Sequence, residues 1–132
     1  MLMHTKRLLV LKNTLIHSVN LFYTLTIGVL SLVHLNDVPK LNTGFDDKIV
    51  HFILYAGLCL TWFLSLYILK NKSSLFFACL VSILFGIIIE YLQSIVTNYR
   101  STELFDILAN CLGIFTMAFI IHANKDLIVK KL

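Results

Sequence analysis

Four long apolar windows, residues 15–35, 49–69, 75–96 and 104–121, constrain this chain more than any other feature. Each approaches or exceeds the roughly 17 to 25 residues that an α-helix needs to cross the hydrocarbon of a bilayer. Lipid offers backbone N–H and C=O groups no partner, so segments of this kind satisfy them internally, as helices. A chain of 132 residues that is 58% hydrophobic and 14% charged, with mean hydropathy +0.87, carries more apolar surface than a soluble core of its size requires. The expected fold is all-α: a polytopic four-transmembrane-helix bundle over residues 15–122, preceded by a segment 1–14 and followed by a basic tail 123–132.

Charge sets the expected topology. The net charge of +4 excludes a nucleic-acid partner as its cause, because the basic residues form no dense patch and sit almost wholly between the apolar windows. Lys6, Arg7, Lys12, Lys70, Lys72, Lys125, Lys130 and Lys131 fall on one side of the implied membrane, and Lys40, Lys48 and Arg100 on the other. Eight against three puts both termini in the cytoplasm. In segment 1–14 the apolar patch 8–11 is flanked by bases, as in a helical extension lying on the cytoplasmic surface. Lys12 interrupts the early apolar run and no small-residue cleavage pattern follows, so the first helix is read as uncleaved. Cys59, Cys79 and Cys111 lie inside apolar windows without CxxC or Cys/His spacing, which marks them as packing residues and assigns them no metal.

Polar residues inside such windows call for a reason, since an acid at mid-membrane costs roughly 2.5 to 3.5 kcal/mol. The first window holds His17, Asn20 and His34, all near enough to an interface to reach water or headgroups. Residues 36–48 contain the only proline, Pro39, with Asn42, Gly44, Asp46 and Asp47, a helix-breaking loop that ends in a carboxylate suited to N-cap the second helix. That helix opens DKIVHFILY, in which Asp47, His51 and Tyr55 recur at steps of four and Lys48 precedes His51 by three, all on one face. The third window sets Gly86, Glu90 and Gln93 on one face, where the glycine could admit a close helix. After the loop 97–103, with Ser101 or Thr102 as cap, Glu103, Asp106, Asn110 and Gly113 form one stripe on the fourth helix.

These groups fall at one depth. The second and fourth helices start at the outer face and the third ends there. At 1.5 Å per residue Glu90 and Asn110 lie roughly 9 Å inside it and Asp106 roughly 3 Å. Asp47, Lys48, His51, Tyr55, Glu90, Gln93, Arg100, Asp106 and Asn110 are therefore expected around one externally open pocket. The alternative is a scaffold in which Lys48 and Arg100 pair with Glu90 and Asp106 to pin the helix ends together.

The combination DK..HF..Y, then E..Q ahead of Arg100, then D...N..G resembles the VanZ-like family of small bacterial membrane proteins, over about residues 15 to 122. The matching positions are Asp47, Lys48, His51, Phe52, Tyr55, Glu90, Gln93, Arg100, Asp106, Asn110 and Gly113. The resemblance implies a multi-pass protein of the bacterial cytoplasmic membrane that acts at the cell envelope, in a family named for teicoplanin resistance, and it implies no particular reaction. Three functions compete. The first is a site for an amphiphile, such as a lipid-linked cell-wall precursor or a lipid-bearing glycopeptide, with Lys48 and Arg100 holding phosphate or carboxylate among the membrane lipids. The second is an enzyme in which His51 with Glu90 or Asp106 serves as acid and base or holds a divalent cation, although no HExxH or GxSxG signature supports it and the sequence assigns no cofactor. The third is a small accessory subunit whose polar cluster only stabilises packing. Transport is disfavoured by four short spans with no internal repeat.

Overall fold

The computed structural model describes residues 2–32, 46–96 and 104–130. The four helices are α1 (Leu2–Leu32), α2 (Asp46–Ile68), α3 (Ser74–Val96) and α4 (Leu104–Val129). All four are long and apolar enough to cross a membrane. Residues 36–45 of the expected loop 36–48, with Pro39, lie outside the described residues, as do His34, the Ser101 or Thr102 cap, Glu103 and Arg100, whereas Asp46, Asp47 and Lys48 belong to α2.

Cross-helix contacts fix the order as up-down-up-down. His17 of α1 meets Ser65 near the end of α2, while Tyr23 bonds the carbonyl of Leu54, so these helices run antiparallel. Cys59 faces Cys79 and Tyr55 faces Phe85, which makes α2 and α3 antiparallel as well. Lys48 pairs with Asp106 and His51 with Asn110, so α2 and α4 run parallel. The start of α1, the α2–α3 turn and the end of α4 therefore share one end of the bundle. That turn closes through Lys70 in the left-handed region (φ 58) and Asn71, whose side chain accepts from the Ser73 N–H at 2.9 Å.

The core is Ile27, Tyr55, Leu58, Cys59, Phe63, Ala78, Ile114 and Ile121, with α2 contributing most and therefore lying at the centre. Glycine sets the closest approach: a Cβ on Gly113 of α4 would collide with the backbone carbonyl of Phe52 on α2. On α3, a Cβ at Gly86 would stand 2.9 Å from the Tyr55 ring, the close approach expected of that glycine. Most remaining large apolar side chains face outward, as lipid requires.

Two helices run beyond their apolar windows. The helix α1 runs unbroken from Leu2, so residues 2–14 form a helical extension continuous with the first span. At 31 residues it is about 46 Å long, well beyond an apolar thickness of about 30 Å. The helix α4 passes residue 121 and continues to Val129 through a kink at Asn124 (φ −117, ψ 19).

Candidate functional site

At the end of the bundle opposite the α2–α3 turn, α2 and α4 begin side by side and α3 finishes beside them. Asp47 lies within the first turn of α2 and Asp106 within the first turn of α4, where the positive end of the helix dipole favours a carboxylate. Asp47 does not act as the N-cap that its position suggests. Helix α2 already includes Asp46, so the Asp47 side chain lies one step inside and turns to His51, with Oδ1 3.9 Å from Nε2. This is the i, i+4 relation that the sequence sets.

His51 is the hub. Its Nδ1 lies 3.0 Å from Asn110 Oδ1, and since an amide oxygen only accepts, Nδ1 carries the proton and donates. Its Nε2 then looks between the two carboxylates, 3.8 Å from Asp106 Oδ2 and 3.9 Å from Asp47 Oδ1. The Asp106 carboxylate is split between two neighbours, because Oδ1 stands 3.1 Å from Lys48 Nζ. That contact is ionic and not aligned as a hydrogen bond, for Oδ1 is buried without one. Tyr55, one turn further along α2, lies with its ring nearly parallel to the imidazole, centroids 6.4 Å apart.

Burial grades across the cluster. His51, Tyr55, Glu90, Asp106 and Asn110 are buried, whereas the side chains of Lys48 and Asp47 are 28% and 42% exposed. Among the described residues the cluster is therefore most accessible at the start of α2, near the exposed apolar side chains Ile49, Val50, Ile53, Phe105 and Leu108. Glu90 faces the bundle, as an acid at its depth requires.

Eight of the nine expected site residues fall within the described residues, and all eight point into the bundle or its mouth. Gln93 is turned toward α1, where its Nε2 donates to the Ser31 carbonyl at 2.7 Å, so it ties α3 to α1 beside the cluster. His17, expected at an interface, instead meets Ser65 Oγ at 2.6 Å between α1 and α2. Asn20, also expected at an interface, is instead buried, and so are Ser65 and Ser82, which sequence reasoning missed. Ser65 and Ser82 carry no charge and read as small packing residues, so only a cross-helix partner could have revealed them.

The VanZ/LLP1 family matches residues 5–128, nearly the whole chain. The chain belongs to the VanZ/LLP1 family. It is also 30% identical over 80 residues to the uncharacterized protein C11E3.10 of the fission yeast Schizosaccharomyces pombe, an alignment covering 61% of this chain and 49% of that protein. The chain thus spans about half the length of this relative. No solved structure matches it. The VanZ/LLP1 match agrees with the resemblance carried by the DK..HF..Y and D...N..G residues. Similarity to a yeast protein reaches beyond bacteria, so membership establishes a VanZ-like multi-pass membrane protein and no particular cell type.

Proposed function

We propose that this VanZ/LLP1 protein binds or modifies the polar headgroup of an amphiphile at the cell envelope, a lipid-linked precursor or a lipid-bearing glycopeptide, with glycopeptide resistance one outcome of that activity. The reading is supported by one arrangement above the others: a buried His51–Asp106–Asn110 set beside the partly exposed Asp47 and Lys48, among exposed apolar side chains of the described residues. An amphiphile can lay its chains against Ile49, Ile53 and Phe105 and present its headgroup at the mouth. The basic asymmetry of the connections supports an orientation in which the mouth faces away from the cytoplasm, in a bacterial cytoplasmic membrane.

The test uses a photoactivatable phosphatidic acid in nanodiscs. Cross-links are expected to concentrate on the first turns of α2 and α4 and to fall at least tenfold in His51→Gln and Asp106→Asn proteins that remain folded. Cross-links spread evenly over all four helices, or unchanged by both substitutions, would remove the headgroup site.

One observation favours a second reading. The Lys48–Asp106 contact joins α2 to α4 directly, as an accessory subunit with a purely structural cluster would use it. In that case Lys48→Met should unfold the protein and Asp106→Asn in the same chain should restore it together with every cellular phenotype, whereas a headgroup site regains the fold alone.

A further inference from the structure

The donors that converge at the start of α2 and α4 are those of a metal centre. Asp47, His51 and Asp106 each offer one ligand atom, and these atoms lie within 4.8 Å of one another. The distances from His51 Nε2 to the two carboxylates, 3.8 and 3.9 Å, are too long for hydrogen bonds. Two ligands about 2.1 Å from one tetrahedral ion stand about 3.4 Å apart, so each His51–carboxylate distance would contract by about half an ångström and the two carboxylates, within 4.8 Å, by up to about 1.4 Å, through side-chain rotation at the more exposed Asp47. Asp47 and His51 are four residues apart on one helix, which fixes their mutual geometry without a loop.

Two independent features of the buried side chains point to a ligand between them. The hydrogen bond from His51 Nδ1 to Asn110 turns Nε2 into the gap between the two carboxylates, where both stand 3.8 to 3.9 Å away, beyond hydrogen-bond length. A histidine that ligates a metal commonly donates its other N–H to an oxygen acceptor, which sets tautomer and ring orientation. Asp106 divides its carboxylate: Oδ1 faces Lys48, without a hydrogen bond, and Oδ2 faces the imidazole. The ammonium therefore offsets one of the two negative charges and leaves Oδ2 available.

We infer that Asp47, His51 Nε2 and Asp106 Oδ2 bind one divalent first-row transition cation, Zn²⁺ or Mn²⁺. One imidazole with two carboxylates suits these ions better than Mg²⁺ or Ca²⁺, which favour oxygen ligands alone. Three protein ligands leave at least one coordination position to water or to an anion arriving through the mouth beside Asp47 and Lys48. A phosphate or carboxylate headgroup would then meet the cation and the Lys48 ammonium together. The last step rests on the proposed headgroup site; the binding of the ion does not.

The experiment takes tag-free protein in detergent, stripped with EDTA and titrated separately with ZnCl₂, MnCl₂, MgCl₂ and CaCl₂. Expected is one saturable Zn²⁺ or Mn²⁺ per chain by elemental analysis and calorimetry, with Mg²⁺ and Ca²⁺ at least tenfold weaker. The Mn²⁺ form should show coupling to a single histidine nitrogen in pulsed electron paramagnetic resonance, a readout that needs no variant. Loss of the signal in His51→Gln, and a 10- to 100-fold weaker Kd in Asn110→Ala, complete the expectation. Absence of saturable binding overturns the inference, as does a ring shown by ¹⁵N shifts to remain doubly protonated at neutral pH with Zn²⁺ present. Nitrogen coupling that persists in His51→Gln overturns it also. Phosphatidic acid cross-linked at the first turns of α2 and α4 in protein that shows no saturable cation binding removes the ion and leaves the headgroup site standing. Saturable cation binding with phosphatidic acid cross-linked evenly along the helices removes the headgroup site and keeps the ion.

Discussion

Asn110 and Lys48 show how single residues hold the cluster, each by a different force. The Asn110 amide oxygen takes the Nδ1 proton of His51 in a buried setting, so Asn110→Ala leaves that donor without an acceptor. The expected loss is about 1 to 3 kcal/mol, read from unfolding in detergent, and a ¹⁵N spectrum should show the ring no longer confined to its Nδ1–H tautomer. Lys48 balances a charge: Lys48→Met strands the buried Asp106 carboxylate and should cost about 3 to 5 kcal/mol, most of it recovered when Asp106→Asn is added. Additive losses in that cycle would mean the two residues are not coupled. At this scale the sequence was partly legible. Helical spacing put Asp47 beside His51 and Asp106 beside Asn110, because i and i+4 share a face within any helix. It could not pair His51 with Asn110 or send Gln93 to the Ser31 carbonyl, because a stripe on one helix carries no record of which neighbour it meets.

Between helices the decisive residues are the glycines. Adding a Cβ at Gly113 drives it into the Phe52 carbonyl, a backbone atom that moves only if α2 itself moves. At Gly86 the obstacle is the Tyr55 ring at 2.9 Å, which can tilt, and at Gly28 the nearest atom is 3.6 Å away, an ordinary contact. Alanine substitutions should therefore destabilise in the order Gly113, Gly86, Gly28, with Gly113→Ala at or above the usual overpacking cost of about 1 to 3 kcal/mol and Gly28→Ala near zero. Thermal unfolding of the purified variants checks the order; a Gly28 effect as large as that of Gly113 would mean that α2 and α4 are not in close register. Hydropathy located all four helices but missed two ends. A window of apolar residues marks where lipid begins and stops, whereas a helix stops where its hydrogen bonding does. Residues 122–129 hold neither glycine nor proline, so α4 runs on past the apolar boundary with only the kink at Asn124. The same reasoning explains α1: Lys6, Arg7 and Lys12 make the segment polar without breaking it.

For the whole molecule, the up-down-up-down order links the position of the polar cluster to the side of the membrane it serves. The order itself follows from cross-helix partners such as His17 with Ser65, Cys59 with Cys79 and His51 with Asn110, which leave the α2–α3 turn, the start of α1 and the end of α4 together. Such contacts are the same whichever way the bundle sits, so orientation depends on loop charge. Eight basic residues flank the turn end and three the cluster end, and short basic connections are retained on the cytoplasmic side. The prediction is that, in a chain whose Cys59, Cys79 and Cys111 are replaced by alanine, a cysteine at Asn42 reacts with a membrane-impermeant maleimide in intact bacterial cells while one at Asn71 reacts only after lysis. The reverse pattern would keep the fold and the cluster but turn the mouth to the cytoplasm, where a lipid-linked precursor would have to be met before export. Reaction at both positions in intact cells would mean that the α2–α3 hairpin does not cross the bilayer, and the shared depth of His51, Glu90 and Asp106 would no longer describe a site within a membrane.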